Sequence, residues 1–141
     1  MISIFATLNP PPSSTATFTE NPVTELVLLP ISSLTGPDEQ RKWHEDLIRF
    51  RSAALERLSP DDIRPLSWST GHIERPATFD HPGSPSGKAM AYFMAIGWLA
   101  KEKHIAATQT EVFRDTLAPI REKMLSPLKG LDMTHVSFKK V

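Results

Sequence analysis

The side chains with the most chemical potential are five scattered histidines and three tryptophans, in a chain with no cysteine. The most suggestive pair is Trp98 and His104, six residues apart in GWLAKEKH. An imidazole titrates near pH ~6.5, so it can both take and give a proton at neutral pH. Beside an indole face it could draw a phenol or α-carbonyl proton from an aromatic substrate stacked on the ring. The competing reading of His104 is a histidine near a helix start, bonded to backbone and without a chemical role. His72, in STGHIER, is a candidate second acid or base. Tyr92 could donate its hydroxyl to a ligand oxygen, and Trp68, Met94 and Ile96 join Trp98 as candidate pocket walls. His44 lies one residue off a helical apolar stripe and could reach the same pocket or be a half-buried structural residue. Core or interface packing is the alternative for Trp98 and Tyr92.

His81, in Asp80-His81-Pro82, reads as an exposed loop histidine, and His135 sits on the last strand without a defined role. The five histidines lack the close spacing of metal-ligand sets, so no metal site is expected. The segment Gly83-Ser-Pro-Ser-Gly87-Lys88-Ala89 resembles a phosphate loop only superficially. It is one residue short, lacks the hydroxyl after the lysine and leads into a strand rather than a helix.

The elements that must position these groups follow from periodicity. Residues from 89 on form one apolar strand that ends about Trp98, with Tyr92, Met94, Ile96 and Trp98 on one face and Phe93, Ala95, Gly97 and Leu99 on the other. Both faces are apolar, so both need cover: helices on one, a partner subunit or a ligand on the other. Before it, VTELVLLPI from Val23 to Ile31 reads as a strand with Leu26, Leu28 and Ile31 as anchors. A helix follows, with Pro37 suited to its first position and Asp38 and Glu39 at its positive end. Trp43, Leu47, Phe50, Ala54 and Leu58 make its buried stripe, and Glu45 and Arg49 an exposed pair. Ile63–Arg75 is a second strand; a bulge at Gly71 would turn His72 to the opposite face. A helix from about Lys101 is kinked or ended by Pro119, with a short continuation to Met124. Leu131–Phe138 is the final strand. The order strand, helix, strand, strand, helix, strand predicts an α+β, ferredoxin-like βαββαβ protomer, its four-stranded antiparallel sheet carrying two helices on one face.

Residues 1–22, rich in Pro, Ser and Thr, read as an arm outside this domain of residues 23–141, either loose or docked on a neighbouring edge. The 141 residues carry 16 basic and 16 acidic side chains and no basic block, so neither nucleic acid nor an anionic membrane is expected as partner. No run approaches the ~20 apolar residues of a membrane span. The N-terminus lacks a basic region before its short apolar run, so a soluble, cytoplasmic protein is the expectation.

WSTGHIERP, GWLAKEKH and the terminal THVSF resemble the dimeric α/β-barrel superfamily, specifically its antibiotic-biosynthesis-monooxygenase-like branch of fungi and bacteria. The similarity spans about Thr24 to Lys139. It implies a homodimer of ferredoxin-like protomers, each with a pocket between sheet and helices, and members that act as cofactor-free monooxygenases, polyketide cyclases, decarboxylases, isomerases or haem-degrading enzymes. Ala100 stands where family members usually have a helix-capping Ser. Met94 and His104 stand where the quinol-forming oxygenases tend to have Asn and Tyr. The expectation is therefore a cofactor-independent tailoring enzyme of secondary metabolism, with His104 driving cyclisation or isomerisation of an aromatic, polyketide-like substrate. A cofactor-free monooxygenase acting on a phenolic or anthrone-type substrate is the alternative within enzymes. A non-catalytic dimeric ligand-binding protein is the alternative outside them.

Overall fold

The computed structural model describes residues 5–11, 21–127 and 134–137. Its central element is β5 (Lys88–Trp98), flanked by β2 (Val23–Ser32) and β3 (Ser67–Arg75), both antiparallel to it. The short β6 (Thr134–Val136) pairs with the outer edge of β2, and β1 (Phe5–Ala6) with the outer edge of β3. A two-residue β4 (Phe79–Asp80) returns along the start of β5. With helix α1 (Pro37–Glu56) between β2 and β3, and α2 (Lys101–Thr108) and α3 (Glu111–Lys123) between β5 and β6, the strands of the βαββαβ unit lie in the order β3-β5-β2-β6. That is the ferredoxin-like α+β arrangement, with three helices against one sheet face rather than two. Leu131–Met133 and Phe138 of the expected last strand lie outside the described residues.

Helix α1 begins as its sequence dictates, with Pro37 in the first turn and Asp38 and Glu39 behind it. Its stripe of Trp43, Leu47, Phe50 and Ala54 packs on Leu29, Ile31, Trp68, Met94, Ile96 and Trp98 from the sheet. Arg49 pairs with Asp46 at 2.9 Å instead of Glu45, because three residues back on the helix is as close as four. The strand after α1 starts at Ser67, since Asp61–Ile63 make a 3-10 turn.

The second helical stretch is two helices. Thr110 breaks it, its hydroxyl accepting from the Phe113 N–H at 3.2 Å and so capping α3. Pro119 does not end α3, which continues through it to Lys123. At the start of α2, Ala100 provides no side-chain cap. A missing cap costs about 1 kcal/mol. The helix is held instead by the Lys103–Asp62 ion pair to the 3-10 turn, by Ala107 in the core and by His104 lying on Trp98.

Two expectations about sheet faces change. Along β2 the inward residues are Glu25, Val27, Leu29 and Ile31, whereas Leu28 packs outward with Ile73 and Ala91. The expected anchors Leu28 and Ile31 thus serve opposite faces, as residues three apart on a strand must. No bulge occurs at Gly71 against β5: Thr70, Gly71 and His72 stand opposite Met94, Phe93 and Tyr92 in unbroken register. His72 therefore shares the helix-side face with Trp68.

The outer face is partly covered by the chain itself. Phe5–Ala6 pair with Arg75 and Ile73, and Asn9 bridges to Thr70, so these residues dock on β3 rather than hang loose. A Cβ on Gly71 would fall 2.0 Å from the Thr7 carbonyl oxygen, and one on Gly97 2.2 Å from Asn21 Nδ2. Asn21 in turn donates to Ser67 Oγ at 2.8 Å. The outward-facing Thr24, Ser69, Ala89 and Ala95 are all buried within the single chain. Over this part of the sheet the outer face, for which the sequence called for a partner subunit or a ligand, is buried within the chain.

Candidate active site

Between the sheet and the three helices lies a cavity of about 260 Å³. Its walls are mostly apolar, with Val27, Leu29, Met94 and Ile96 from the strands, Phe50 from α1, and Phe113 and Leu117 from α3, and Thr108 and Arg121 also line it. Phe50 meets Trp68 and Phe113 edge-on, with centroids 5.6 and 4.9 Å apart, which fixes the aromatic side of the wall. The volume falls just below the usual range of about 300–1,000 Å³ for ligand pockets, so the space suits a small, planar, largely apolar molecule.

One end of this cavity is polar. Trp98, fully buried, donates its indole N–H to Glu25 Oε1 at 3.0 Å. His104 stacks on the same indole with centroids 4.6 Å apart and planes inclined by 23°. That stacking directs its Nε2 to 3.5 Å from Glu25 Oε1, within ion-pair reach and longer than a hydrogen bond. On the other side of the ring, Nδ1 lies 2.7 Å from His135 Nε2. His135 is itself the cross-strand neighbour of Glu25 in the β2–β6 pairing. Glu25, His104 and His135 thus form one line, from a buried carboxyl to a half-buried imidazole.

The environment separates their proton affinities. Burial pushes the Glu25 carboxyl up to about 7, against the opposing pull of the Trp98 N–H. Burial, helped by neighbouring His135, pushes His104 down to about 4. His135 is lowered as well, by burial and by Lys101. At neutral pH the carboxyl is therefore close to half-protonated while the imidazole beside it is neutral.

Two proton arrangements are open to this line once the gap between Glu25 and His104 closes to hydrogen-bond distance. In one, protonated Glu25 donates to His104 Nε2, and His104 Nδ1–H donates to His135 Nε2. In the other, His104 Nε2–H donates to the carboxylate, and His104 Nδ1 accepts from His135 Nε2–H. Passing from the first to the second moves one proton from Glu25 to His104 and one from His104 to His135, which can release its Nδ1 proton to solvent.

Of the residues singled out from sequence, His104, Trp98, Trp68, Met94 and Ile96 line this cavity. His72, His44 and Tyr92 do not; they line a second hollow with which it shares no residue. His72 stands four residues along β3 from Trp68, about 13 Å at the rise of a strand. His81 is buried rather than exposed: its Nδ1 accepts from the Gly83 N–H at 2.9 Å and its Nε2 donates to the Ser126 carbonyl at 2.7 Å. It pins the loop before β5 to the segment after α3. Glu25 and the role of His135 were missed. The available signal for Glu25 was a lone acid in phase with Val27, Leu29 and Ile31. No group of three or more potential metal ligands occurs among the described residues. No helix among them is long and apolar enough to cross a membrane.

No protein-family profile matches the chain, and no curated protein sequence does. Solved structures do resemble it. A conserved Bacteroides thetaiotaomicron protein of unknown function, suggested to be an oxidoreductase, matches with TM-score 0.51 at 13% identity, over 84% of this chain and 99% of its own. At3g17210 from Arabidopsis thaliana matches with TM-score 0.51 at 8% identity, over 85% of this chain and 96% of its own. A candidate antibiotic biosynthesis monooxygenase from Chloroflexus aurantiacus lies further off, with TM-score 0.42 and 15% identity over 82% and 91% of the two chains. The neighbours thus include antibiotic-biosynthesis-monooxygenase-like proteins, at a distance that carries nothing about function. What the first two share with this chain is its fold.

Proposed function

We propose that this protein is a cofactor-independent acid/base enzyme that binds a small aromatic, polyketide-like molecule in the cavity and drives its cyclisation or isomerisation by proton transfer. The observation that carries this reading is the Glu25 carboxyl, buried at the polar end of an apolar cavity and poised at about 7. A group whose pKa matches the working pH is the most effective proton-transfer catalyst. Glu25 takes the proton from an acidic C–H or O–H of the ligand, Trp98 steadies the carboxylate, and His104 relays the proton onward to His135. This assigns the base to Glu25 and a relay role to His104, because burial strips His104 of most of its basicity.

The test is solvent deuterium incorporation at the acidic methylene of anthrone-type and aryl 1,3-diketone probes. Wild type should accelerate exchange, and Glu25→Gln should cut it by about a hundredfold or more. Exchange undiminished in Glu25→Gln would refute Glu25 as the base. Binding of the probes with no acceleration by wild type would favour a non-catalytic binding protein.

The same apparatus supports a second reading. A deprotonated, electron-rich ring held between apolar walls is a substrate for dioxygen, which would convert an anthrone-type CH2 to C=O with release of water. Oxygen uptake during turnover separates the two, since proton transfer alone proceeds unchanged under anaerobic conditions.

A further inference from the structure

A second hollow, of about 290 Å³, lies on the same sheet face towards the other end of β5. Its floor is apolar, made by Ile31, Met90 and the ring of Tyr92. Its polar groups are different in kind from those around Glu25. His44 from α1 and His72 from β3 stack with centroids 5.0 Å apart and planes inclined by 13°. The Tyr92 ring meets both edge-on, at 5.1 and 4.9 Å, and its hydroxyl donates to Thr70 Oγ1 at 3.1 Å. No ring nitrogen of His44 or His72 has a hydrogen-bond partner among the described residues. Among those residues the only fixed charge in the lining is Arg41, and no carboxylate lines the hollow. Arg41 is paired with Asp38 at 3.3 Å, but both side chains are largely exposed, and such pairs give way easily to a competing anion.

Two solvent-facing imidazoles with no protein partner among the described residues, a cation and no lining acid, set over an apolar floor, suit an amphipathic anion. We propose that this hollow binds a small aryl carboxylic acid, its ring on Met90 and Tyr92 and its carboxylate held by His44, His72 and Arg41. Burial and the neighbouring His44 lower the His72 pKa, and a carboxylate beside it would act in the opposite sense. The site is separate from the cavity around Glu25 and does not depend on the reaction assigned there.

The methionines make the two hollows separately visible, since Met90 lines this one while Met94 and Met124 line the other. In a protein carrying 13C-methyl methionine, titration with benzoate, phenylacetate and hydrocinnamate should shift the Met90 methyl saturably. The corresponding primary amides should bind at least tenfold more weakly. A His44→Gln/His72→Gln double variant should lose at least tenfold in affinity, with the Met94 and Met124 methyls unmoved as proof of an intact fold. Shifts of Met94 and Met124 in place of Met90, amides as effective as acids, undiminished binding by the double variant, or no Met90 response at millimolar acid would each overturn the proposal.

Discussion

Replacing Glu25 by Gln keeps the shape of the side chain and its acceptor for the Trp98 N–H while removing the titration. In the folded protein the Glu25 carboxyl is raised from 4.5 to about 7. Between those values the folded state holds a proton that the unfolded chain has released, so stability falls as pH rises through the window. At about 1.4 kcal/mol per pH decade, the interval of about 2.5 decades amounts to about 3 kcal/mol. His104 acts in the opposite sense: its folded value of about 4 lies below the ordinary 6.5, so its contribution raises stability as pH climbs from about 4 to 6.5. The two nearly cancel in the wild type. The informative quantity is therefore the difference between Glu25→Gln and wild type, in which titrating groups remote from Glu25 cancel. Urea unfolding at a series of pH values should show the two proteins equally stable near pH 4.5. The variant should gain about 3 kcal/mol by pH 8. A difference that stays constant across this range would mean that the carboxyl is not perturbed, and the acid/base assignment would fall with it.

Trp98→Phe removes the indole N–H that is hydrogen-bonded to the Glu25 carboxyl. A hydrogen bond to a charged group contributes about 1.5–3 kcal/mol, so the Glu25 midpoint should rise by about one to two pH units, read by carboxyl infrared titration. An unchanged midpoint would place the donor elsewhere. Gly71→Ala would drive a methyl into the Thr7 carbonyl and should cost about 1–3 kcal/mol, with faster hydrogen exchange at Asn9 and Thr70, whose N–H groups bond to each other's carbonyls. Wild-type stability and protection in that variant would show that the N-terminal residues do not lie on the sheet.

Much of the architecture was legible because it is local. The 4-3-4 spacing of Trp43, Leu47, Phe50 and Ala54 makes α1 whatever surrounds it, and the alternation from Tyr92 to Trp98 makes β5. The junction of Trp98 with His104 was readable for the same reason, the two residues being only six apart across the strand end and helix start. The break at Thr110 was missed because its apolar stripe reads through; the signal was a threonine followed at once by an acid, a helix start inside a helix. The polar end of the cavity was illegible because strand pairing assembles it. Glu25 meets Trp98 and His135 only through register between segments some 73 and 110 residues away in sequence, and an acid in an apolar strand reads first as its solvent side. The separation of His72 and His44 from His104 is a distance along a strand, which periodicity alone does not measure.

The most direct test is a 13C NMR titration of the Glu25 carboxyl in the intact protein. The account predicts a midpoint near pH 7, shifting in concert with the ring signals of His104. A midpoint at the ordinary carboxylate value of 4.5 would contradict it, for the cavity would then hold a plain anion at neutral pH and no group able to pass a proton in both directions.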